Sequence, residues 1–278
     1  MTALTTRFAP SPTGNLHLGH AFSALSAYEA ARWHGGRFIL RVEDIDHTRC
    51  RPEFEAAIFE DLAWLGLEWE TPVFRQSEHL ADYQTALEGL ITRGLAYRCF
   101  RTRSQMNTAS APHGPASSFV GARLDLDEEV QRLAAGHPFA WRLSLDAARD
   151  ALGGFEGLAF QEQAKGQPGL IAAQPELLGD IVLARKDLGV AYHLAVTVDD
   201  ARQGITHIVR GEDLFEATHI QRLLQALLDL PTPVYRHHRL ILGPDGKRLA
   251  KRNKAQTLAS LRERGVTPVE VRRELGFE

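Results

Sequence analysis

Two histidines stand three residues apart in the segment PSPTGNLHLGH, residues 10–20. The prolines and glycines predict a turn, and apolar residues at helical spacing follow, so His17 and His20 fall in the first turn of a helix. Unpaired backbone N–H groups and the helix dipole favour an anion there. His-x-x-His alone is also typical of a surface turn. The complete segment favours imidazoles that donate to a phosphate under attack.

A second group of charged residues lies late in the chain, in GPDGKRLAKRNKA at 243–255. Five lysines and arginines occupy eight consecutive positions there, and glycines precede them. Lysine is a compact charge suited to a pyrophosphate leaving group, and a mobile loop can close over a nucleotide. A solvated basic surface or a patch for an RNA backbone fits the same composition.

The elements around these segments predict an α/β fold. Strands that alternate with helices indicate a Rossmann-like, doubly wound parallel sheet. Residues 102–120 show little periodicity and predict a loop within an α+β insertion. A short helical segment follows the basic loop, with Pro268 in a first helical turn. The predicted strands lie at 5–9, 37–44, 95–100, 139–145 and 234–242.

Composition limits the class of protein. The 278 residues are 44% hydrophobic and 24% charged with a net charge of −3, so an RNA contact would need a local patch. Two cysteines cannot form a disulfide framework. The N-terminus has no apolar signal core, and no run of about 18 apolar residues occurs. These features predict a cytoplasmic protein without membrane contact, and nothing requires more than a monomer.

The segments together resemble the class I aminoacyl-tRNA synthetases. RFAPSPTGNLHLGH at 7–20 is similar to the HIGH signature of the glutamyl branch, and RLAKR at 248–252 is similar to its KMSKS-type loop. ILRVEDID and AYHLAVTVDDARQGITHIVRGEDL resemble that branch as well. The resemblance implies a catalytic domain in two halves, 1–101 and 179–242, with an insertion at 102–178 and a loop and helical tail at 243–278.

Length subdivides the resemblance. Only 26 residues follow Arg252, whereas full glutamyl-tRNA synthetases carry a large anticodon-binding portion there. We therefore expect no anticodon-binding domain. The chain is similar to truncated paralogues that activate glutamate with ATP and attach it to the queuosine base in the anticodon of tRNA(Asp). Two alternatives remain: a minimal enzyme that charges a tRNA 3′ end, and a non-catalytic paralogue that binds RNA or adenylate.

The resemblance implies a glutamate site and an ATP site. A guanidinium fork suits the γ-carboxylate of glutamate, and a Glu or Tyr oxygen suits its α-ammonium group. ATP with Mg²⁺ is expected at the HIGH segment and the later loop, where His17, His20 and Lys251 are the expected catalytic residues. The glutamate-binding residues are expected to be Arg7, Ala9, Ser11, Glu43, Tyr192 and Arg210. The ATP-binding residues are expected to be His17, Gly19, His20 and Lys251.

Two departures from the family pattern carry predictions. Arg248 and Ala250 replace the usual lysine and serine of the KMSKS-type loop. Many queuosine-modifying members bind zinc through a Cys-x-Cys pair, but here the matching stretch is Cys99-Phe100-Arg101 and no later cysteine exists. One cysteine cannot make a thiolate-rich tetrahedral site, so we expect no structural zinc and no other metal site. Cys99 is then a small buried hydrophobe.

RNA contact is expected at the basic end of the chain. Residues 247–278 hold nine Lys and Arg against four Glu, and RHHR at 236–239 is a second basic cluster. These clusters could hold the anticodon stem-loop of tRNA(Asp) by its phosphates, and ordinary exposed helix surface has the same composition.

Overall fold

Strands and helices alternate along the part of the chain that the computed structural model describes, residues 3–101, 119–164, 168–185, 189–242 and 256–277. The strands are β1 Thr5–Phe8, β2 Arg37–Val42, β3 Phe74–Arg75, β4 Ala96–Cys99, β5 Ala140–Leu143, β6 Ala159–Glu162, β7 Gly169–Ala172, β8 Val182–Arg185, β9 Gly189–Val190, β10 His207–Gly211 and β11 Val234–His238. The helices are α1 Leu18–Trp33, α2 Pro52–Trp64, α3 Leu80–Thr92, α4 Leu126–Ala134, α5 Leu145–Leu152, α6 Tyr192–Arg202, α7 Phe215–Leu227, α8 Leu258–Glu263 and α9 Pro268–Leu275.

Parallel strands form the centre of the fold, as the sequence predicted. β1 pairs with β2 and β2 with β3, all in parallel. On the other side of β1, the Thr206 N–H just before β10 donates to the Thr5 carbonyl at 3.0 Å, and β10 pairs in parallel with β11. The carboxyl ends of β1, β2 and β10 therefore point the same way, and residues that follow them meet at one edge.

An antiparallel sheet packs beside this centre. It has the order β4-β5-β8-β9, and β4 pairs with β5 from Ala96–Leu143 to Cys99–Ala140. Its inner face joins α3, α5, α6 and α7 in one apolar core that contains Leu90, Leu143 and Leu224. A second apolar core joins α1 and α2 to the C-terminal helices, so the tail is packed against the first half of the chain.

Two strands pair across the expected segment boundaries. β4 lies within 1–101 and pairs with the antiparallel strands that come later in the chain. β6 lies within 102–178 and pairs in parallel with β11 where Glu162 meets Tyr235. The four-segment division of the chain therefore stays a proposal.

Ser77 ties the start of the segment before α3 to the end of β2. Its hydroxyl and its backbone N–H donate to the Asp44 carboxylate at 2.6 and 2.8 Å. Residues 192–200 lie in α6. Of the helices that the structure describes, none has the length and apolar content needed to cross a bilayer.

Candidate active site

The turn between β1 and α1 is held by the ends of neighbouring elements. The Glu43 backbone N–H donates to the Pro10 carbonyl at 3.0 Å, and the Arg51 N–H donates to the Pro12 carbonyl at the same distance. Ala9 is half-buried in this turn and Ser11 is exposed. The turn therefore places backbone groups beside the carboxyl end of β2, where Glu43 lies.

His17 and His20 begin α1, as the sequence predicted. His17 is the N-cap, and its Nδ1 accepts the Gly19 N–H at 3.1 Å, while His20 Nδ1 accepts the His17 N–H at 3.2 Å. The rings stack with centroids 3.8 Å apart. Because each Nδ1 accepts, a neutral ring carries its proton on Nε2, which is then a donor. A Cβ on Gly19 would lie 3.0 Å from the His17 ring, so glycine permits this cap.

A buried ionic cluster lies at the carboxyl ends of β1 and β2. Arg7 Nε donates to Asp200 Oδ1 at 3.0 Å, and Arg41 Nη2 lies 2.9 Å from the same oxygen. Side-chain exposure is 5% for Arg7, 0% for Arg41 and 5% for Asp200. One carboxylate thus orients two guanidinium groups, which compensates charges that burial alone would strongly disfavour.

Glu43 lies at the rim of this cluster. Its Oε1 is 3.5 Å from Arg41 Nη2, and its residue exposure is only 9%. Burial raises the pKa of Glu43 to about 7, although the Arg41 and Arg7 charges act in the opposite direction. Asp199 lies deeper and accepts from Gln76 at 2.7 Å and from the Tyr83 hydroxyl at 2.8 Å.

Tyr192 opens α6 next to the same group of charges. Burial raises the pKa of its phenol, the nearby Arg210 lowers it, and Glu43 raises it again. The following residue, His193, has its pKa lowered to about 4 by burial and by Arg210, so its ring is neutral at physiological pH. Tyr192 therefore carries a neutral hydroxyl in the electrostatic field of Arg210 and Glu43.

Arg210, the penultimate residue of β10, has one guanidinium nitrogen without a hydrogen-bond partner among the described residues. Its Nε donates to His237 Nε2 at 3.2 Å, and its Nη2 donates to Thr218 Oγ1 at 2.7 Å. Its Nη1 is buried and finds no hydrogen-bond partner among the described residues. A buried N–H without a partner is costly, so this nitrogen is suited to an anionic oxygen of a ligand.

The structure gathers most of the expected glutamate residues into one place. Arg7, Glu43, Tyr192 and Arg210 come from four elements and influence one another electrostatically. Ala9 and Ser11 lie in the adjoining turn. The ATP-site residues His17, Gly19 and His20 begin the helix that follows that turn. Lys251, Arg248 and Ala250 lie outside the described residues.

The chain beyond the basic loop returns to the histidine segment. Thr257 forms an antiparallel bridge with His17, and the Leu258 N–H donates to the Leu16 carbonyl at 2.9 Å. Thr257 also caps α8 by accepting the Ser260 N–H. Thr257, six positions after Lys251, is thereby held at the first turn of α1.

Only some residues of the two basic segments expected to contact RNA, 236–239 and 247–278, are exposed in the part of the chain that the structure describes. In RHHR at 236–239, His237 is buried and bonded to Glu162, so it is not a surface contact. Arg262 pairs with Asp61 at 3.0 Å, and Arg272 pairs with Glu29 at 2.5 Å, within the fold. The exposed arginines of these segments in the described part of the chain are Arg236, Arg239, Arg264 and Arg273.

Sequence reasoning missed the residues that support the site from behind. Arg41, Asp199 and Asp200 are buried in the ionic cluster, and His237 and Glu162 lie beneath Arg210. A signal existed in β2, where one arginine interrupts the apolar run FIL-R-V at a strand position that is fully buried. The burial of the paired aspartates of VTVDD could not be predicted from the sequence, because a strand and a helix would place their side chains on different faces.

In the residues that the structure describes, no group of three or more His, Cys, Asp or Glu is arranged to hold a metal ion. Cys99 is buried in β4, and Cys50 is half-buried, both with free thiols. The absence of a structural zinc stays a prediction for the chain as a whole.

Known proteins resemble this chain along almost all of its length. A glutamyl-Q tRNA(Asp) synthetase of Rhodobacter capsulatus is 47% identical over 285 residues, which cover 99% of this chain and 100% of that protein. A glutamate–tRNA ligase of Coprothermobacter proteolyticus is 38% identical over 272 residues, which cover 96% of this chain but only 56% of that ligase.

A solved structure shares the fold. A glutamate tRNA ligase of Elizabethkingia meningosepticum, crystallised in complex with its amino acid, superposes with a TM-score of 0.75 at 29% identity. The alignment covers 96% of this chain and 59% of that ligase, so this chain spans about three fifths of the larger protein. The family model described as tRNA synthetases class I (E and Q), catalytic domain, matches residues 3–276. The chain belongs to this family, the class I tRNA synthetases for glutamate and glutamine.

Proposed function

We propose that this ligase activates L-glutamate with ATP and transfers the glutamyl group to the queuosine base in the anticodon of tRNA(Asp). The observation that carries the proposal is the match to the whole length of the Rhodobacter capsulatus protein at 47% identity. The charge arrangement of the site supports the amino acid, since two arginines, a carboxylate and a phenol suit the two carboxylates and the ammonium group of glutamate.

Glutamate would be held by the four charged or polar residues at the sheet edge. The uncommitted Nη1 of Arg210 receives the γ-carboxylate, and Arg7 supports the same end of the molecule. Glu43, when ionised, and the neutral Tyr192 hydroxyl receive the α-ammonium group. Glutamine lacks the γ-charge and would leave the buried guanidinium nitrogen without an anion, so the site favours glutamate.

Adenylate formation follows from the position of the histidines. An oxygen of the glutamate α-carboxylate attacks the α-phosphorus of ATP, an O–P bond forms, the bond to the β-phosphate breaks and pyrophosphate leaves. The Nε2 donors of His17 and His20 stabilise the negative charge that develops on the α-phosphate oxygens. Gly19 leaves room for this cap, and Lys251 is assigned to the pyrophosphate. Mg²⁺ is expected to arrive with ATP as part of the substrate.

Transfer to RNA needs no covalent enzyme intermediate. A hydroxyl of queuosine attacks the carbonyl carbon of glutamyl-adenylate and the ester bond forms. AMP leaves with the electron pair of the broken anhydride bond, and its phosphate takes up the proton of the hydroxyl. Arg236 and Arg239 at the end of β11 are exposed and are proposed to contact the phosphates of the anticodon stem-loop. We propose that one monomer performs both steps, and sedimentation with and without tRNA(Asp) tests this stoichiometry.

The test is incorporation of labelled glutamate, with ATP, into three RNAs. These are tRNA(Asp) with queuosine, tRNA(Asp) without queuosine, and tRNA(Glu). Label on the queuosine-containing tRNA(Asp) alone supports the proposal, whereas label on tRNA(Glu) indicates a minimal charging enzyme. Label on none, together with no glutamate-dependent exchange of pyrophosphate into ATP, indicates a non-catalytic paralogue.

Two arginine variants separate the amino-acid site from the RNA contact. Arg210→Gln removes the buried receptor and is expected to raise KM for glutamate so far that exchange is lost at glutamate concentrations that saturate the parent enzyme. Arg236→Gln changes an exposed arginine and is expected to leave exchange intact while weakening RNA transfer and its salt dependence. Equal loss of exchange in both variants would contradict the assignment of Arg210.

A further inference from the structure

A row of buried polar side chains lies behind Arg210, on the side away from the proposed glutamate position. It consists of Glu162 at the end of β6, His237 in β11 and Thr218 in α7. Their exposures are 0%, 7% and 0%, so all three are buried away from bulk water. Polar side chains at such depth need a reason, because each loses hydration that only good hydrogen bonds replace.

Glu162 is the base of this row. Its Oε1 accepts three backbone N–H groups, from Ala164 at 2.8 Å, His237 at 3.0 Å and Gln163 at 3.1 Å. Its Oε2 lies 2.5 Å from His237 Nδ1. Burial raises the pKa of Glu162, but the hydrogen bonds from the side chain and backbone of His237 outweigh it, and the pKa is lowered. Glu162 is therefore an ionised acceptor at neutral pH.

The charge on Glu162 fixes the tautomer of His237. A carboxylate that accepts at Nδ1 requires the proton there, so the neutral ring has a lone pair on Nε2. That lone pair receives the Nε–H of Arg210 at 3.2 Å, and the Thr218 hydroxyl, 3.1 Å away, donates to the same nitrogen. Burial, together with the Arg210 charge, lowers the pKa of His237 to about 4 against the opposing effect of Glu162, so the ring stays neutral and can accept.

Thr218 holds the guanidinium at a second point. Its Oγ1 accepts from Arg210 Nη2 at 2.7 Å, and the Leu214 carbonyl lies 3.3 Å from the same nitrogen. Two nitrogens of a rigid planar group are thus fixed from behind, which also fixes its plane. The third nitrogen, Nη1, is the one without a partner among the described residues.

We infer that Glu162, His237 and Thr218 are positioning residues that aim the Nη1 edge of Arg210 at the γ-carboxylate of glutamate. The inference rests on the proposed function, and it adds residues that never touch the substrate. They select for an acidic side chain by holding the guanidinium in one orientation, so that little ordering remains when glutamate binds. The γ-carboxylate does not react, so this contact is equal in ground state and transition state. Its loss raises KM for glutamate and leaves kcat nearly unchanged.

Two amide variants of His237 test the orientation. The amide of glutamine reaches about as far as Nε2 and offers an acceptor to Arg210, whereas the amide of asparagine reaches only as far as Nδ1. In glutamate-dependent pyrophosphate exchange with tRNA(Asp) present, H237N is expected to raise KM for glutamate about 10- to 100-fold, the loss of one charge-assisted hydrogen bond. H237Q is expected to restore KM to within about threefold of the parent. Both variants should keep kcat and KM for ATP within about threefold.

Thr218 provides a second matched pair that does not depend on the fate of H237N. T218V keeps the shape but removes the acceptor for Nη2, and T218S keeps the hydroxyl. T218V is expected to raise KM for glutamate about tenfold, and T218S is not. Equal KM values within either pair, in variants with unchanged circular dichroism, overturn the inference. If the parent protein, without any substitution, shows no glutamate-dependent exchange, the proposed function is overturned, and this inference with it.

Discussion

Replacing Asp200 by asparagine tests how much the buried ionic cluster contributes to the stability of the fold. Asp200 accepts from Arg7 at 3.0 Å and lies 2.9 Å from Arg41, and all three side chains are at most 5% exposed. Asparagine keeps the shape and one carbonyl oxygen but removes the charge. Among the described residues, Arg41 then keeps Glu43 at 3.5 Å and Asp199 at 3.9 Å as charged partners.

The expected loss follows from burial. Removing one partner of a buried ion pair costs about 3–5 kcal/mol, because the charge left behind, here mainly that of Arg7, loses its compensation. A chain of 278 residues has a transition entropy of roughly 0.6 kcal/mol per kelvin, so Tm should fall by about 5–9 °C. Burial raises the pKa of Asp200, but the charges of Arg7 and Arg41 lower it by more, so the pKa lies below its usual value. The stabilisation is thus present above about pH 4 and is lost in more acid solution.

An exposed ion pair supplies the control. Arg37 and Glu70 form two hydrogen bonds of 2.6 Å, but their side chains are 52% and 45% exposed. Glu70→Gln should therefore cost less than about 1 kcal/mol. Urea and thermal unfolding, followed by circular dichroism at pH 7.5, compare the two variants. Losses that agree within about 1 kcal/mol would refute the argument that burial decides the strength of these pairs.

Three further predictions concern catalysis and metals. Because burial raises the pKa of Glu43 to about 7, kcat/KM for glutamate should fall about tenfold per pH unit below that value. Glu43→Gln should remove this acid limb, and a flat profile in the parent from pH 5.5 to 8 contradicts it. His20→Ala should lower pyrophosphate exchange roughly 100-fold or more with Tm nearly unchanged, and retained exchange opposes the assignment. With Cys99 as the one zinc-type cysteine, elemental analysis should find no stoichiometric zinc, and chelation should leave Tm unchanged.

The short-range features of the fold were accessible from the sequence. The strands expected at 5–9 and 37–44 and the turn chemistry before α1 are local properties, and the structure confirms these elements as β1, β2 and the start of α1. The resemblance to glutamyl synthetases then selected Arg7, Glu43, Tyr192 and Arg210, which lie far apart in the chain. The structure brings them together at one sheet edge, and their roles stay proposals until variants are measured.

The supporting residues were not accessible, because their role depends on pairing that spacing does not encode. Glu162 reaches His237 only because β6 joins the parallel sheet beside β11, through the single pairing of Glu162 with Tyr235. The cluster RHHR was interpreted as a surface for RNA, whereas strand alternation turns His237 inward and Arg236 outward. The basic composition of RHHR therefore gives no indication that His237 is buried, because its partner Glu162 comes from β6, a strand distant in the sequence.

The position of β1 between β2 and β10 also governs the order in which the site can form during synthesis. β1 leaves the ribosome some 200 residues before its second neighbour, β10, which follows the Thr206–Thr5 hydrogen bond. At about 5–20 residues per second, this interval is roughly 10–40 s. Throughout it, Arg7 and Arg41 have no Asp200 to pair with. The amino-acid pocket is therefore a late product of translation, and a nascent chain that stalls before α6 carries two arginines at positions that the finished protein buries.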